Sequence, residues 1–130
     1  MLAVDTNILV RLVTRDDPEQ AGCAMRLMQG GRIFVAKTVI LELEWILRRV
    51  YELPLERVLF ALKGIAGLDN VILEDPLVVA DALAWCELGL DFADALHLAS
   101  SHDAKGFATF DEGFRKRSET IETHCRVELA

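Results

Sequence analysis

Four acidic residues stand where side chains of one chemistry could work together: Asp5, Glu42, Asp94 and Asp111. Asp5 closes the apolar run Leu2 to Val4, and Asp111 closes Phe107 to Phe110, so each is expected at the carboxyl end of a short strand. Glu42 and Asp94 fall within the first turns of two expected helices. In open α/β sheets, ligands bind beyond the carboxyl ends of the strands. Taken singly, each acid has an ordinary role, Asp5 for instance as a helix cap. Brought together, they would repel one another and shift their pKa values upward unless a cation neutralised them. Hard oxygen donors in that number suit Mg²⁺ or Mn²⁺, which keep several waters and accept phosphate oxygens as further ligands. A site of that kind activates a water and stabilises the departing oxygen in phosphodiester cleavage.

The elements that would position these acids alternate along the chain. After Asp5, Ile8, Leu9, Leu12 and Val13 have helical spacing. Asp17-Pro18-Glu19-Gln20 reads as a helix start, with a cap, a Pro at the first helical position and a Gln completing a capping box. Ile33 to Ala36 is a second short strand. Thr38 is expected to cap a longer helix with Val39, Leu43, Ile46 and Val50 inward. On that wheel Glu42 lies about 75° from the apolar face and Glu44 about 125° away. Glu44 is therefore expected to be the exposed one, paired with Arg48, and Glu42 to border the core. Pro54 opens a further helix, whose apolar excess could serve a subunit interface as well as a core. Val71 to Leu73 is a third strand, and Asp75-Pro76 starts the next helix.

Asp91 occupies a cap position three residues before Asp94, with Phe92, Leu96 and Ala99 on the buried side and Gly106 after the helix. Asn7 could orient a neighbouring carboxylate or cap its turn. His97 follows Asp94 by three residues and reads as a structural or supporting histidine; His102 and His124 have no spacing partner. Arg115-Lys116-Arg117, the basic triplet, is either a solvated face or a phosphate contact beside Asp111. Ile121 to Leu129 could supply a closing edge strand. Strand and helix in alternation imply an α/β fold, with a mostly parallel sheet flanked by helices. Gly-rich phosphate loops and nucleophile elbows are absent from the sequence.

A chain of 130 residues fits one domain spanning residues 1–130. With 52% apolar and 27% charged residues it has the composition of a globular protein. No apolar run is long enough for a membrane span, and the start does not read as a signal peptide. Three cysteines, Cys23, Cys86 and Cys125, match no zinc pattern and fit a reduced, cytoplasmic chain. A net charge of −7 argues against nucleic acid unless bound metal reverses the local sign. The acidity would equally attract a basic partner.

Val4-Asp5-Thr6-Asn7-Ile8-Leu9-Val10-Arg11, Glu42, Phe92-Ala93-Asp94-Ala95-Leu96 and Ala108-Thr109-Phe110-Asp111 together resemble the motifs of PIN-domain ribonucleases. The resemblance covers nearly the whole chain, and the size matches the VapC-type toxins of toxin–antitoxin pairs. It implies a three-layer α/β/α sandwich with a central, mostly parallel sheet, and a homodimer. It implies Mg²⁺- or Mn²⁺-dependent endonucleolysis of RNA, inhibited by a cognate antitoxin. Asp5, Glu42, Asp94 and Asp111 match the acidic metal site, Asp5 and Asp94 being expected as primary ligands, with Asp91 as a possible extra ligand or cap. Thr6, Asn7 and Thr109 match polar residues that support the carboxylates. Arg11, Arg115, Lys116 and Arg117 are the candidates for RNA backbone contacts. His97 departs from the pattern, since many relatives carry an aliphatic residue there. Two other readings stand beside this one: a PIN fold that binds RNA or a partner without cutting, and a receiver-like Mg²⁺-binding signalling domain. The latter expects paired acids after the first strand and a late strand-end Lys, where this chain has single Asp5 and Asp111.

Overall fold

The computed structural model describes residues 1–130, which form two compact units, residues 1–74 and 75–130. The first contains three parallel strands, β1 (Leu2–Ala3), β2 (Ile33–Val35) and β3 (Val71–Leu73), hydrogen-bonded in that order. Ile33 is the register point, opposite Leu2 on one side and Val71 on the other. Four α-helices accompany them: α1 (Thr6–Thr14), α2 (Pro18–Met28), α3 (Lys37–Trp45) and α4 (Leu55–Ala66). Helix α1 packs on α2 and α3, while α4 packs on α3 and β3. Leu9, Ile33, Val35, Leu43, Leu47 and Leu62 are almost wholly buried, as the apolar periodicity of these segments requires.

Asp17 caps α2 as expected, accepting from the Gln20 N–H at 3.1 Å, with Pro18 at the first helical position. Gln20 spends its side chain elsewhere: its Oε1 accepts from Arg11 Nε at 2.7 Å. Arg11 Nη1 also donates to Asp16 Oδ1 at 2.9 Å and to the Tyr51 hydroxyl at 3.0 Å, and that hydroxyl donates to Asp16 Oδ2 at 2.7 Å. The Tyr51 and Thr14 hydroxyls hold the Asp16 carboxyl below its usual range, and Tyr51 raises the Arg11 guanidinium. Tyr51 reaches this network from the end of a π turn, Ile46–Val50, which continues α3 and closes with a Tyr51 N–H to Ile46 carbonyl bond of 3.1 Å.

Two expectations for α3 are corrected. Thr38 does not cap the helix; Ala36 holds that position without a side-chain bond, and the Lys37 N–H donates to Glu74 Oε1 at 2.9 Å. A strand-end carboxylate distant in sequence thus satisfies a donor that a local cap would otherwise serve. The order of burial of the two glutamates is also reversed: Glu44 is 1% exposed, whereas Glu42 is exposed. The buried stripe is Ile40, Leu43, Glu44 and Leu47, while Val50 is 60% exposed, so the inward face lies on the other side of the wheel from Glu42. The expected Glu44–Arg48 pair does form, and it is bidentate, with Arg48 Nε to Oε2 at 2.6 Å and Nη2 to Oε1 at 3.2 Å. Bidentate pairing is what makes a carboxylate tolerable there.

The second unit contains α5 (Pro76–Glu87), α6 (Phe92–Ala99), β4 (Gly106–Thr109), α7 (Glu112–Ser118) and β5 (Arg126–Leu129). Helices α5 and α6 pack together, and α7 packs on β5. Strands β4 and β5 are parallel, from Gly106 opposite Arg126 to Thr109 opposite Leu129. Phe107 meets the buried Phe114 edge to face at 5.8 Å, joining β4 to α7. His124 Nε2 lies 3.1 Å from Asp81 Oδ2 and its ring lies against Trp85, tying the approach to β5 onto α5. The α/β class and the parallel pairing agree with the sequence, but the strand hydrogen bonds resolve into a three-stranded and a two-stranded sheet. No helix is long and apolar enough to cross a membrane.

Glu44 and Arg48 give an asymmetric test. Arg48→Ala strands a buried carboxylate and is expected to cost about 3 kcal/mol in urea unfolding. Glu44→Gln leaves a guanidinium that is 26% exposed to solvent, and is expected to cost about 1 kcal/mol.

Candidate active site

In the second unit a helix cap and a strand end place the carboxylates of Asp91 and Asp111 within electrostatic reach of Asp94. Asp91 caps α6, its Oδ2 accepting from the Asp94 N–H at 3.3 Å. That bond fixes the first turn of the helix, from which Asp94 projects half-buried. Asp111 follows β4 and caps α7, its Oδ1 accepting from the Phe114 N–H at 3.0 Å. Its own N–H donates to Thr109 Oγ1 at 3.0 Å, so Thr109 pins the backbone that carries the carboxylate. These local bonds are ordinary capping roles, made by residues that are both exposed.

The carboxylates are close enough to feel one another. Partial burial raises the Asp94 carboxyl above the usual aspartate range, and the charges of Asp91 and then Asp111 push it further. His97 and Arg117 act in the opposite sense. His97, one turn further along α6, acts electrostatically on Asp94, in keeping with a supporting histidine.

The basic triplet is divided by its partners. Arg115 pairs with Glu119, and Lys116 lies 3.6 Å from Glu112. Arg117 instead lies over Gly113: a Cβ there would stand 2.9 Å from Arg117 Nη1 and 3.3 Å from Asp111 Oδ1. Gly113 therefore permits the close approach of the guanidinium to the carboxylates, a role its sequence context did not reveal. The only available signal was its position four residues before an arginine on one helix.

In the first unit, Asp5 stands at the end of β1 and caps α1, with its Oδ1 accepting from the Thr6 N–H at 2.7 Å. Thr6 is buried and holds the turn, whereas Asp5 and Asn7 are exposed. Glu42 is exposed on α3. Arg11 is held by Gln20, Asp16 and Tyr51 rather than standing free.

The donor set is all oxygen, with Asp94 crowded by the charges of two further carboxylates, and this chemistry fits a hard divalent cation. No group of three or more Asp, Glu, His or Cys side chains is placed to hold a metal ion by itself. An ion that retains several waters needs no such closed shell.

The raised Asp94 value sets a stability test. The folded protein holds this proton more tightly than the unfolded chain, so ionising Asp94 costs stability. The cost is absent below the ordinary value of 3.8, grows as pH rises through the raised value, and is complete above it. Asp94→Asn is therefore expected to raise the Tm of the metal-free protein at neutral pH by a few degrees at most. The gain should vanish near pH 3; a thermal melt series across pH measures both.

The chain matches the PIN domain family over residues 2–119. Among curated proteins none is detectably similar to it. Among solved structures, the crystal structure of VapC20 from Mycobacterium tuberculosis, a sarcin–ricin loop cleaving toxin, is similar at 19% identity. The alignment covers 97% of this chain and 99% of that one, with a TM-score of 0.46. Matched from its first strand through α7, the chain belongs to the PIN domain family.

Proposed function

We propose that this protein is a metal-dependent endoribonuclease, the VapC-type toxin of a toxin–antitoxin pair, with residues 1–130 acting as one nuclease domain. The observation that carries this reading is the crowding of Asp94 by Asp91 and Asp111 in a chain of the PIN domain family. A carboxylate whose ionisation is opposed by burial and by like charges is costly unless a cation is to be held.

Asp5 and Asp94 are the primary ligands in this reading, Glu42 and Asp111 hold the ion directly or through water, and Asp91 is an additional ligand or cap. Mg²⁺ or Mn²⁺ bound there would supply a polarised water and offset charge on the phosphate oxygens. Hydrolysis adds water across a backbone P–O bond of RNA and leaves 5′-phosphate and 3′-hydroxyl ends. The chain's part is to hold its carboxylates in place: Thr6 fixes the turn of Asp5, Asn7 supports it, and Thr109 fixes the backbone of Asp111. Arg117, lying over Gly113 beside Asp111, is the foremost contact for the RNA backbone. Arg115, Lys116 and Arg11 are further contacts, available when their carboxylate partners yield to phosphate.

The protein acts in the cytoplasm as a homodimer. Trp45 and Phe60, 54% and 81% exposed, leave apolar surface on the helical hairpin for a second copy. A cognate antitoxin restrains it, and a basic antitoxin tail suits the net charge of −7.

The test is incubation of total cellular RNA with purified protein in Mg²⁺ or Mn²⁺, in EDTA, and with the Asp94→Asn variant. Discrete products that need the metal, with rates at least about 100-fold lower in the variant, are expected. Full activity in the Asp94→Asn protein would overturn the assignment of the site.

A further inference from the structure

Phe110 is 91% exposed, more than any other large apolar side chain of the protein. A single exposed phenylalanine is unremarkable by itself. This one is set apart by its position and by the rigidity of its backbone. It stands between Thr109 and Asp111, where the Asp111 N–H bonds to Thr109 Oγ1 at 3.0 Å and the Asp111 carboxylate caps α7. The Ala130 N–H donates to the Thr109 carbonyl at 2.8 Å, fixing the preceding residue as well. Strand alternation sends Phe107 inward to Phe114 and turns Ala108 and Phe110 to solvent. An open aromatic face is thus held on a pinned loop, one residue from a proposed metal-holding carboxylate.

We infer that Phe110 is a substrate-binding residue, its ring stacking on an unpaired RNA base next to the scissile phosphate. The inference rests on the ribonuclease reading above. Aromatic rings hold unpaired bases by stacking on their faces, and this tolerates any base. A base inside a duplex has both faces covered and cannot use such a platform. Arg117, over Gly113 on the helix that Asp111 caps, complements the ring with a cation for the backbone. The pairing of a ring for the base with a guanidinium for the phosphate offsets the unfavourable charge of the chain near its RNA. The ring thereby selects substrate segments that are single-stranded at the cut.

The experiment uses a short single-stranded RNA spanning a cleavage site mapped with the wild-type protein. Phe110→Ala, Phe110→Leu and Phe110→Trp are compared with wild type by kcat and KM. A matching RNA with 2-aminopurine beside the scissile bond reports stacking by fluorescence quenching, read in the Asp94→Asn background to prevent cutting. Phe110→Ala is expected to raise KM about 5- to 100-fold with kcat little changed and to abolish the quench. Phe110→Trp should restore both, and Phe110→Leu neither. Wild-type cleavage with unchanged KM in Phe110→Ala would overturn the inference and leave the ribonuclease reading standing, assigning the ring to a protein partner instead. Rescue by Leu as complete as by Trp would overturn it too, since bulk rather than stacking would then be at work. A wild-type protein that neither cuts nor binds RNA would remove both readings.

Discussion

Like charges resist being gathered, and the second unit is built around that resistance. Asp91, Asp94 and Asp111 come from a helix cap, a helix turn and a strand end, and each is fastened to backbone N–H groups or set on an element that is. The fastening is cheap because the same carboxylates satisfy donors that helix starts leave open. What it leaves behind is an Asp94 whose ionisation is opposed by burial and by its neighbours. A molecule selected for stability alone would dispense with this arrangement. The arrangement costs stability at neutral pH, and it is the feature on which the proposed metal site rests.

The rest of the fold serves to keep such acids at element ends. Parallel strands carry Asp5 and Asp111 at their carboxyl termini, and the buried faces of α1 and α6 hold the first turns that follow or bear the acids. The bidentate pair of Glu44 with Arg48 shows the contrasting treatment of a carboxylate, sunk in the core and fully matched by a guanidinium. Asp94 has no such match. Arg117 approaches it only through electrostatics, across a glycine that keeps the path open.

Much of this was legible in the residues. Asp17-Pro18 and Asp91 with Asp94 announced their helix starts, because capping is a local interaction between near neighbours, whereas Asp111 was legible as a strand end and not as the cap of α7. The parallel α/β class followed from the alternation of short apolar runs with helical stripes. The face of α3 was not legible: Val39, Ile46 and Val50 are as apolar as Ile40 and Leu47, and the choice between the two stripes is made by packing against α1 and α4. The π turn at Ile46–Val50 has no local signature, and Tyr51 reveals its purpose only through Asp16 and Arg11. Glu74 serving the start of α3 likewise joins residues far apart in sequence. Among the candidate site residues, the division of labour within Arg115 to Arg117 was not legible, since it depends on which glutamate stands one turn away.

The central claim is that the carboxylates crowding Asp94 in the second unit serve a divalent metal ion. The most direct test is calorimetric titration of the purified protein with Mn²⁺, beside the Asp94→Asn and Asp111→Asn variants. The account predicts a saturable site in the wild-type protein that either single substitution weakens at least about 10-fold. Unchanged Mn²⁺ affinity in both variants would contradict it.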